Sequence, residues 1–385
     1  MTGEPLRIGL LSSLSGPLAP VERSLHDAAL LAIDEVNAAG GVAGRELVAV
    51  TADYGSDTTR ATWEARRLLR EEGVRLLVGG YTSASRVAIQ PELHARDGLL
   101  LYPTYFEGLE RDPRTLYAGA VPNQFLVPYV DWLLEHLGDR VLLVGSDYIY
   151  PRTAGAIVRR LVEDAGGRVL AERYVPLGQL DFASVLEDVR RLEPAVVVSN
   201  LVGNDSVPAF YRQFLAAGLR ADALPIAATV TTELDLRTMG DAAGQGHYMA
   251  GSYFETVPGP GNEAYRAALR ARVGPQAAPH AAQVGAYHAI RLLAAAGERV
   301  EDPRSTVEWL RALPGTRFEA SPEGEPIVVG ADLHTTHPLH IGRADGGRFE
   351  IVRSWPSQAP DPYPALLVDD PRERLLRSAV AEGGA

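Results

Sequence analysis

Apolar positions fall along this chain in short dense runs, separated by longer stretches where they recur every three or four residues. That alternation predicts the architecture. Runs at 6–11, 47–51, 74–78, 98–101, 141–145, 169–175, 195–199, 224–228 and 248–253 have strand length, and several are too apolar to carry a solvated face, as expected of parallel strands covered on both sides. Helical stretches lie between them. Leu25, Ala28, Ala29, Ala32, Ile33 and Val36 repeat at helical spacing and stop at Gly40-Gly41, where a C-cap turn is expected. Asp57 caps a helix reaching about 69, another ends near 96, and further helices are predicted at 121–137, 151–165, 181–192, 206–217, 263–273, 281–296 and 306–313. A run at 116–120 reads as a strand that changes sheets. Beyond 317 the pattern turns to short strands at 327–329, 339–343 and 349–355, then to an extended tail from Pro360. Alternating strands and helices build parallel sheets with helices on both faces. More than ten strands are too many for one compact domain of 385 residues, so the expected fold is α/β, with two doubly wound parallel-sheet lobes and a cleft between them.

Ligands of open α/β sheets bind outside the carboxyl ends of the strands, which directs attention to the loops there. The stretch VLLVGSDYIYPR at 141–152 runs from a buried strand into Ser146-Asp147-Tyr148-Ile149-Tyr150, and Pro151 suits the first turn of the next helix. Hydroxyls recur in the same setting: Ser13 and Ser15; Tyr81, Thr82, Ser83 and Ser85; Tyr102 and Thr104; Tyr148 and Tyr150; Thr231 and Thr232. Capping explains a residue such as Ser85 or Ser206. It explains the tyrosines poorly, because tyrosine is neither a cap nor a turn residue and three separate loops carry it. Neutral donors and acceptors beside aromatic faces suit a small, polar, uncharged ligand. A charged ligand calls for a buried counter-ion, and the candidates, Glu22 and Asp147, read as solvated loop acids.

Composition narrows the chemistry. A formal charge of -12 and a pI near 5.3 argue against nucleic acid or an anionic membrane as direct partner. The chain has no cysteine, and all 37 basic residues are arginine. Disulfides, thiolate chemistry, P-loop phosphate binding and lysine Schiff bases are therefore excluded. No nucleophile elbow, dinucleotide fingerprint or zinc-helix motif occurs, and no cofactor is expected. His334, His337 and His340 stand three apart in HTTHPLH; strand spacing turns such residues to opposite faces, so they are expected to be surface or edge-strand histidines without a metal. Apolar runs are too short to cross a membrane. Met1-Thr2-Gly3-Glu4-Pro5 has no leader character, which gives a cytoplasmic expectation, with an extracytoplasmic alternative if a leader precedes it.

The residues carry a resemblance. Ser12 to Gly16, ERSLHDAALLAIDEVNAAGGV at 22–42, TSASR at 82–86, LYPTYFEGLE at 101–110, VPNQ at 121–124, GSDYIYPR at 145–152 and PDPYP at 360–364 together resemble type I periplasmic-binding-protein-like receptors. Within these they resemble the branch that binds urea and short-chain amides, which includes the receptor subunit of urea transporters and the cytoplasmic amide sensor regulating aliphatic amidase expression. The resemblance implies two lobes joined by three crossovers, 1–119 plus 253–326 and 120–252 plus 327–385, clamping a ligand by hinge closure. It implies that Ser83 binds the ligand through hydroxyl and backbone N–H with Tyr81 as a wall, that Tyr102 and Thr104 add a face and a hydroxyl, and that Tyr148 and Tyr150 close from the other lobe. Val202, Gly203 and Thr231 complete the implied pocket. The expected function is non-catalytic binding of a small neutral amide or urea by a cytoplasmic sensor whose protein partner is an RNA-binding antiterminator, with a homodimer left open. The alternative is the receptor of a urea or amide ABC transporter, partnered by its permease. Nitrilase-type, amidase-signature and urease chemistry each need cysteine or lysine, and neither is present.

Overall fold

The computed structural model describes residues 4–363. Expectations resting on Met1 to Gly3, on Pro364 of PDPYP and on the rest of the second lobe's span to 385 lie outside the described residues. The chain opens with β1 (Leu6–Ser12), α1 (Ala19–Ala38), β2 (Leu47–Asp53), α2 (Thr58–Arg70), β3 (Leu76–Gly79), α3 (Ser83–Ala95), β4 (Leu99–Tyr102) and β5 (Thr115–Tyr117). It continues through α4 (Pro122–His136), β6 (Arg140–Ser146), α5 (Ile149–Asp164), β7 (Arg168–Val175), α6 (Ala183–Leu192), β8 (Val196–Asn200), α7 (Ser206–Ala216), β9 (Ile226–Ala228), α8 (Glu233–Met239), α9 (Asp241–Gly244) and β10 (Tyr248–Gly251). Then follow α10 (Pro260–Val273), α11 (Ala281–Gly297), α12 (Thr306–Ala312), β11 (Arg317–Phe318), β12 (Ile327–Val328), β13 (His337–Asp345) and β14 (Arg348–Gln358).

Two sheets result. The first has the order β2-β1-β3-β4-β5 and is parallel throughout. The second has the order β14-β13-β10-β9-β8-β6-β7; β13 and β14 join it antiparallel and its other pairs are parallel. Strand periodicity of two places alternate residues in different cores. Leu76 and Val78 face a core shared with α1 while Leu77 faces Leu68, Leu93 and Leu100 on the other side. Val141 and Leu143 join the first of these cores, and Leu142 and Val144 join another with Phe182, Phe210 and Phe214. One apolar core thus runs from the first sheet to the second through α1, α4, α5 and α11.

The chain crosses between sheets after β5, after β10 and before β13. The run read as a sheet-changing strand at 116–120 is a correction: β5 ends at Tyr117, pairs with β4 in the first sheet, and the crossing follows it. The crossings are tied to one another by buried backbone and side-chain hydrogen bonds. Tyr117 N–H donates to Leu333 O (2.8 Å), the Thr335 hydroxyl to Tyr117 O (2.9 Å), and Gln124 Nε2 to Thr335 O (2.9 Å). Glu323 accepts from the Ser252 hydroxyl (2.7 Å) and pairs with His337 Nδ1 (2.9 Å), joining the second crossing to the third.

That arrangement also corrects the expectation for HTTHPLH. His334, His337 and His340 are buried, because the Tyr117 ring stacks on His334 at 4.2 Å and β14 covers the outer edge of β13. Spacing of three does separate their partners: His337 meets Glu323 and Thr335, whereas His340 meets Ser354. Among the described residues no cluster of metal-ligating side chains occurs, and no helix is long and apolar enough to cross a membrane.

Candidate functional site

Every site residue predicted from the sequence lies at or just beyond the carboxyl end of a strand. Tyr81 and Ser83 follow β3, Tyr102 and Thr104 close β4, Tyr148 and Tyr150 follow β6, Val202 and Gly203 follow β8, and Thr231 follows β9. Local geometry explains the placement. Gly79 has φ +131, and a Cβ there would stand 1.8 Å from Leu11 O, so only glycine lets the ends of β1 and β3 approach this closely before the chain turns to Tyr81. Gly203 has φ +114 with no atom nearer than 3.7 Å to a Cβ; there conformation rather than space calls for glycine. The Ser146 hydroxyl holds that loop, accepting from Val202 N–H at 3.0 Å. Tyr148 is the extended N-cap residue of α5, and this sets Tyr148 and Tyr150 on the first-sheet side of their lobe. The two lobes touch here, with the Tyr105 and Tyr150 rings 6.2 Å apart.

The hydroxyls divide into those already engaged and those without a protein partner. Tyr102 donates to Tyr81 O (2.8 Å), Tyr150 to Thr229 (3.2 Å), which donates to Asn200 Oδ1 (2.5 Å), and Tyr211 shares a 3.3 Å contact with Thr231. The Ser83 hydroxyl donates to Glu107 Oε2 at 2.6 Å. By contrast, Tyr81, Thr104, Tyr105 and Tyr148 make no side-chain hydrogen bond among the described residues. Tyr81, Tyr105 and Tyr148 are half-buried phenols. Burial raises all three, and the nearness of the others adds to it for Tyr105, as Tyr81 does for Tyr148, so they stay neutral donors and acceptors near one another, contributed by both lobes. In the second lobe Asn204 Oδ1 and Ser206 Oγ are also buried without a partner.

Tyr105 was absent from the predicted set. Its signal was present in YPTYF, but its ring belongs to the cleft only because Phe125 (5.5 Å) and Tyr150 pack against it. Glu107 and Arg86 were missed as well. Arg86 lies one helical turn beyond Ser83 in α3, a spacing that shares a face, and it is wholly buried between the Tyr102 and Phe106 rings, 4.7 and 4.5 Å from their centres. The two acids read as solvated part ways. Asp147 is exposed and pairs with Arg152 at 2.5 Å. Glu22 is corrected: it is 1% exposed, accepts from Ser13 N–H (2.8 Å) and the Tyr54 hydroxyl (2.7 Å), and shares a narrow void with Ser12, His26 and Tyr81. Burial pushes its carboxyl up to about 7. Asp235 is likewise buried, bonded by Thr232 and Asn204, and burial pushes it up to about 6.

Comparison with known proteins bears on the fold and the family. Residues 6–368 match the family described as periplasmic binding protein domain, and the chain belongs to that family of non-catalytic binders, with two parallel-sheet lobes of the type I kind. It is 28% identical over 232 residues to the Leu/Ile/Val-binding protein homolog 8 of Brucella abortus (strain 2308), a match that spans 56% of each protein, little more than half the length of that relative. It is 22% identical over 301 residues, 76% of this chain and 77% of the other, to homolog 6 of Brucella suis biovar 1. Its fold is that of an ABC transporter solute binding protein from R. palustris in complex with 4-hydroxybenzoate (TM-score 0.84, 20% identity, 93% of this chain and 98% of that one). The branched-chain amino acid binding protein LivJ from Streptococcus pneumoniae, in complex with isoleucine, is similar too (TM-score 0.79, 20% identity, 92% and 100%). At those identities the likeness to solved structures is one of fold.

Proposed function

We propose that this protein is a solute receptor of the ABC transporter type that closes over a small neutral ligand bearing an amide or urea group. The observation that carries the ligand class is the partner-free set Tyr81, Thr104, Tyr105 and Tyr148, neutral hydroxyls from both lobes, beside charged groups that already have partners. Ser83, Tyr102, Tyr150, Val202, Gly203 and Thr231 frame the same space. The lobes on this reading are 1–119 plus 253–326 and 120–252 plus 327–385. The relatives support a receptor delivering its ligand to a permease outside the cytoplasmic membrane, since they are named as binding proteins and transporter components. They lend less support to the cytoplasmic sensor with an antiterminator partner. Urea and acetamide have four heavy atoms each, and at about 1.5 kcal/mol per atom the best affinity is about -6 kcal/mol, a Kd on the order of tens of micromolar. Calorimetry with urea, acetamide, butyramide, leucine and 4-hydroxybenzoate tests the proposal. Binding of urea or an amide is expected; tight binding of leucine or 4-hydroxybenzoate with no response to amides would refute the ligand class.

A further inference from the structure

Two glutamates share the buried guanidinium of Arg86, and they differ in what they have left to offer. Glu110 receives Arg86 Nε and Nη2 (both 3.1 Å), Gln90 Nε2 (2.5 Å) and the Tyr117 hydroxyl (2.6 Å). Burial raises its carboxyl, yet Arg86 and these bonds outweigh that and hold it below the ordinary range. Glu107 has one partner on each oxygen: Arg86 Nη2 at 2.9 Å on Oε1 and the Ser83 hydroxyl at 2.6 Å on Oε2. A carboxylate offers about four acceptor sites, so roughly two on Glu107 are unused although its side chain is only 7% exposed. One cation facing two carboxylates also leaves the cluster with excess negative charge. The Ser83 bond sets that charge beside the loop after β3, near enough to bear on the hydroxyls of Tyr102 in its own lobe and of Tyr148 and Tyr150 in the other.

We propose that Glu107 selects the ligand's chemical class: its spare acceptor sites take the N–H groups of an amide or urea, and its charge repels solutes that present a carboxylate there. The inference rests on the amide reading of the cleft and adds to it the group that distinguishes an amide from its acid. An NH2 group brings two donors to two vacant acceptor sites. A carboxylate of the same shape brings none, and it places like charge beside a buried anion. Arg86 cannot rescue that acid, since its guanidinium is enclosed by two rings and two glutamates. Ser83 gains a positioning role, its hydroxyl fixing one Glu107 oxygen and leaving its backbone N–H as the group to meet the ligand.

The test compares acetamide with acetate, and urea alongside, by calorimetry on the full chain. The wild type is expected to bind urea or acetamide and to ignore acetate. Glu107→Gln is expected to weaken acetamide by about tenfold or more and to narrow the preference over acetate. Glu110→Gln takes a charged partner from the same arginine but leaves both spare acceptor sites of Glu107 in place, so the acetamide Kd is expected to shift by less than about threefold. Glu107→Asp keeps the charge that Arg86 needs for folding but withdraws it by one methylene, so it is expected to lose acetamide affinity while still rejecting acetate. Equal losses in Glu107→Gln and Glu110→Gln, or an unchanged Kd in Glu107→Gln and Glu107→Asp, overturn the inference while leaving the amide reading standing. A wild type that binds neither urea nor acetamide overturns both.

Discussion

The phenol of Tyr148 separates ligand binding from packing. Its ring is half-buried at the N-cap of α5, and its hydroxyl has no protein hydrogen-bond partner among the described residues. Tyr148→Phe therefore removes no bond from the fold, and thermal unfolding of the ligand-free protein should match the wild type. Ligand binding should suffer. If the hydroxyl meets a ligand amide in the closed cleft, its loss leaves a desolvated group unpaired, a cost of about 1–3 kcal/mol, or roughly 5- to 150-fold in Kd. Tyr150→Phe is the contrasting case. It breaks the first link of the chain from Tyr150 through Thr229 to Asn200, so it should cost about 1 kcal/mol of stability even without ligand. Calorimetry with acetamide and urea, paired with unfolding of the free proteins, reads both quantities. A Tyr148→Phe protein whose Kd stays within about twofold of wild type would return that residue to packing and refute the reasoning.

Two further expectations concern the fold. Glu22, pushed up to about 7 by burial and by the Asp53 charge, and opposed by bonds from Ser13 and Tyr54, is favoured as the neutral acid when folded. Its contribution is thus fully present below the unfolded value near 4.5 and is lost as pH rises through about 7, an effect of roughly 3 kcal/mol. Melting temperature should fall from pH 5 to pH 8, and Glu22→Gln should flatten that fall; an unchanged slope would count against a titrating Glu22. At the crossings, Glu323→Ala strips His337 and Ser252 of their buried partner and should cost about 3–5 kcal/mol in chemical denaturation. A loss under about 1 kcal/mol would show that the crossings are held by other contacts.

How much of this was legible in the chain depends on the range of the interaction. Strand runs such as 141–145 and 195–199 carry their own burial pattern, because alternate residues meet two cores whichever neighbours supply them. The loops that follow therefore could be placed at one edge from pattern alone, and the tyrosines in them singled out. Partner choice is different. Ser83 and Glu107 are 24 positions apart and Ser252 and Glu323 are 71 apart, so nothing local announces that one hydroxyl is spent on an acid while Tyr148 keeps its own free. Burial of Glu22 and of the three histidines was hidden for the same reason: each residue looks polar in its own segment, and it is covered only by segments brought from elsewhere. Local pattern determined the strands and set the hydroxyl-bearing loops at their carboxyl ends, since periodicity is a property of neighbouring residues. Tertiary packing decided which polar groups of those loops are already hydrogen-bonded, since a hydrogen bond is satisfied by whatever the fold sets opposite it.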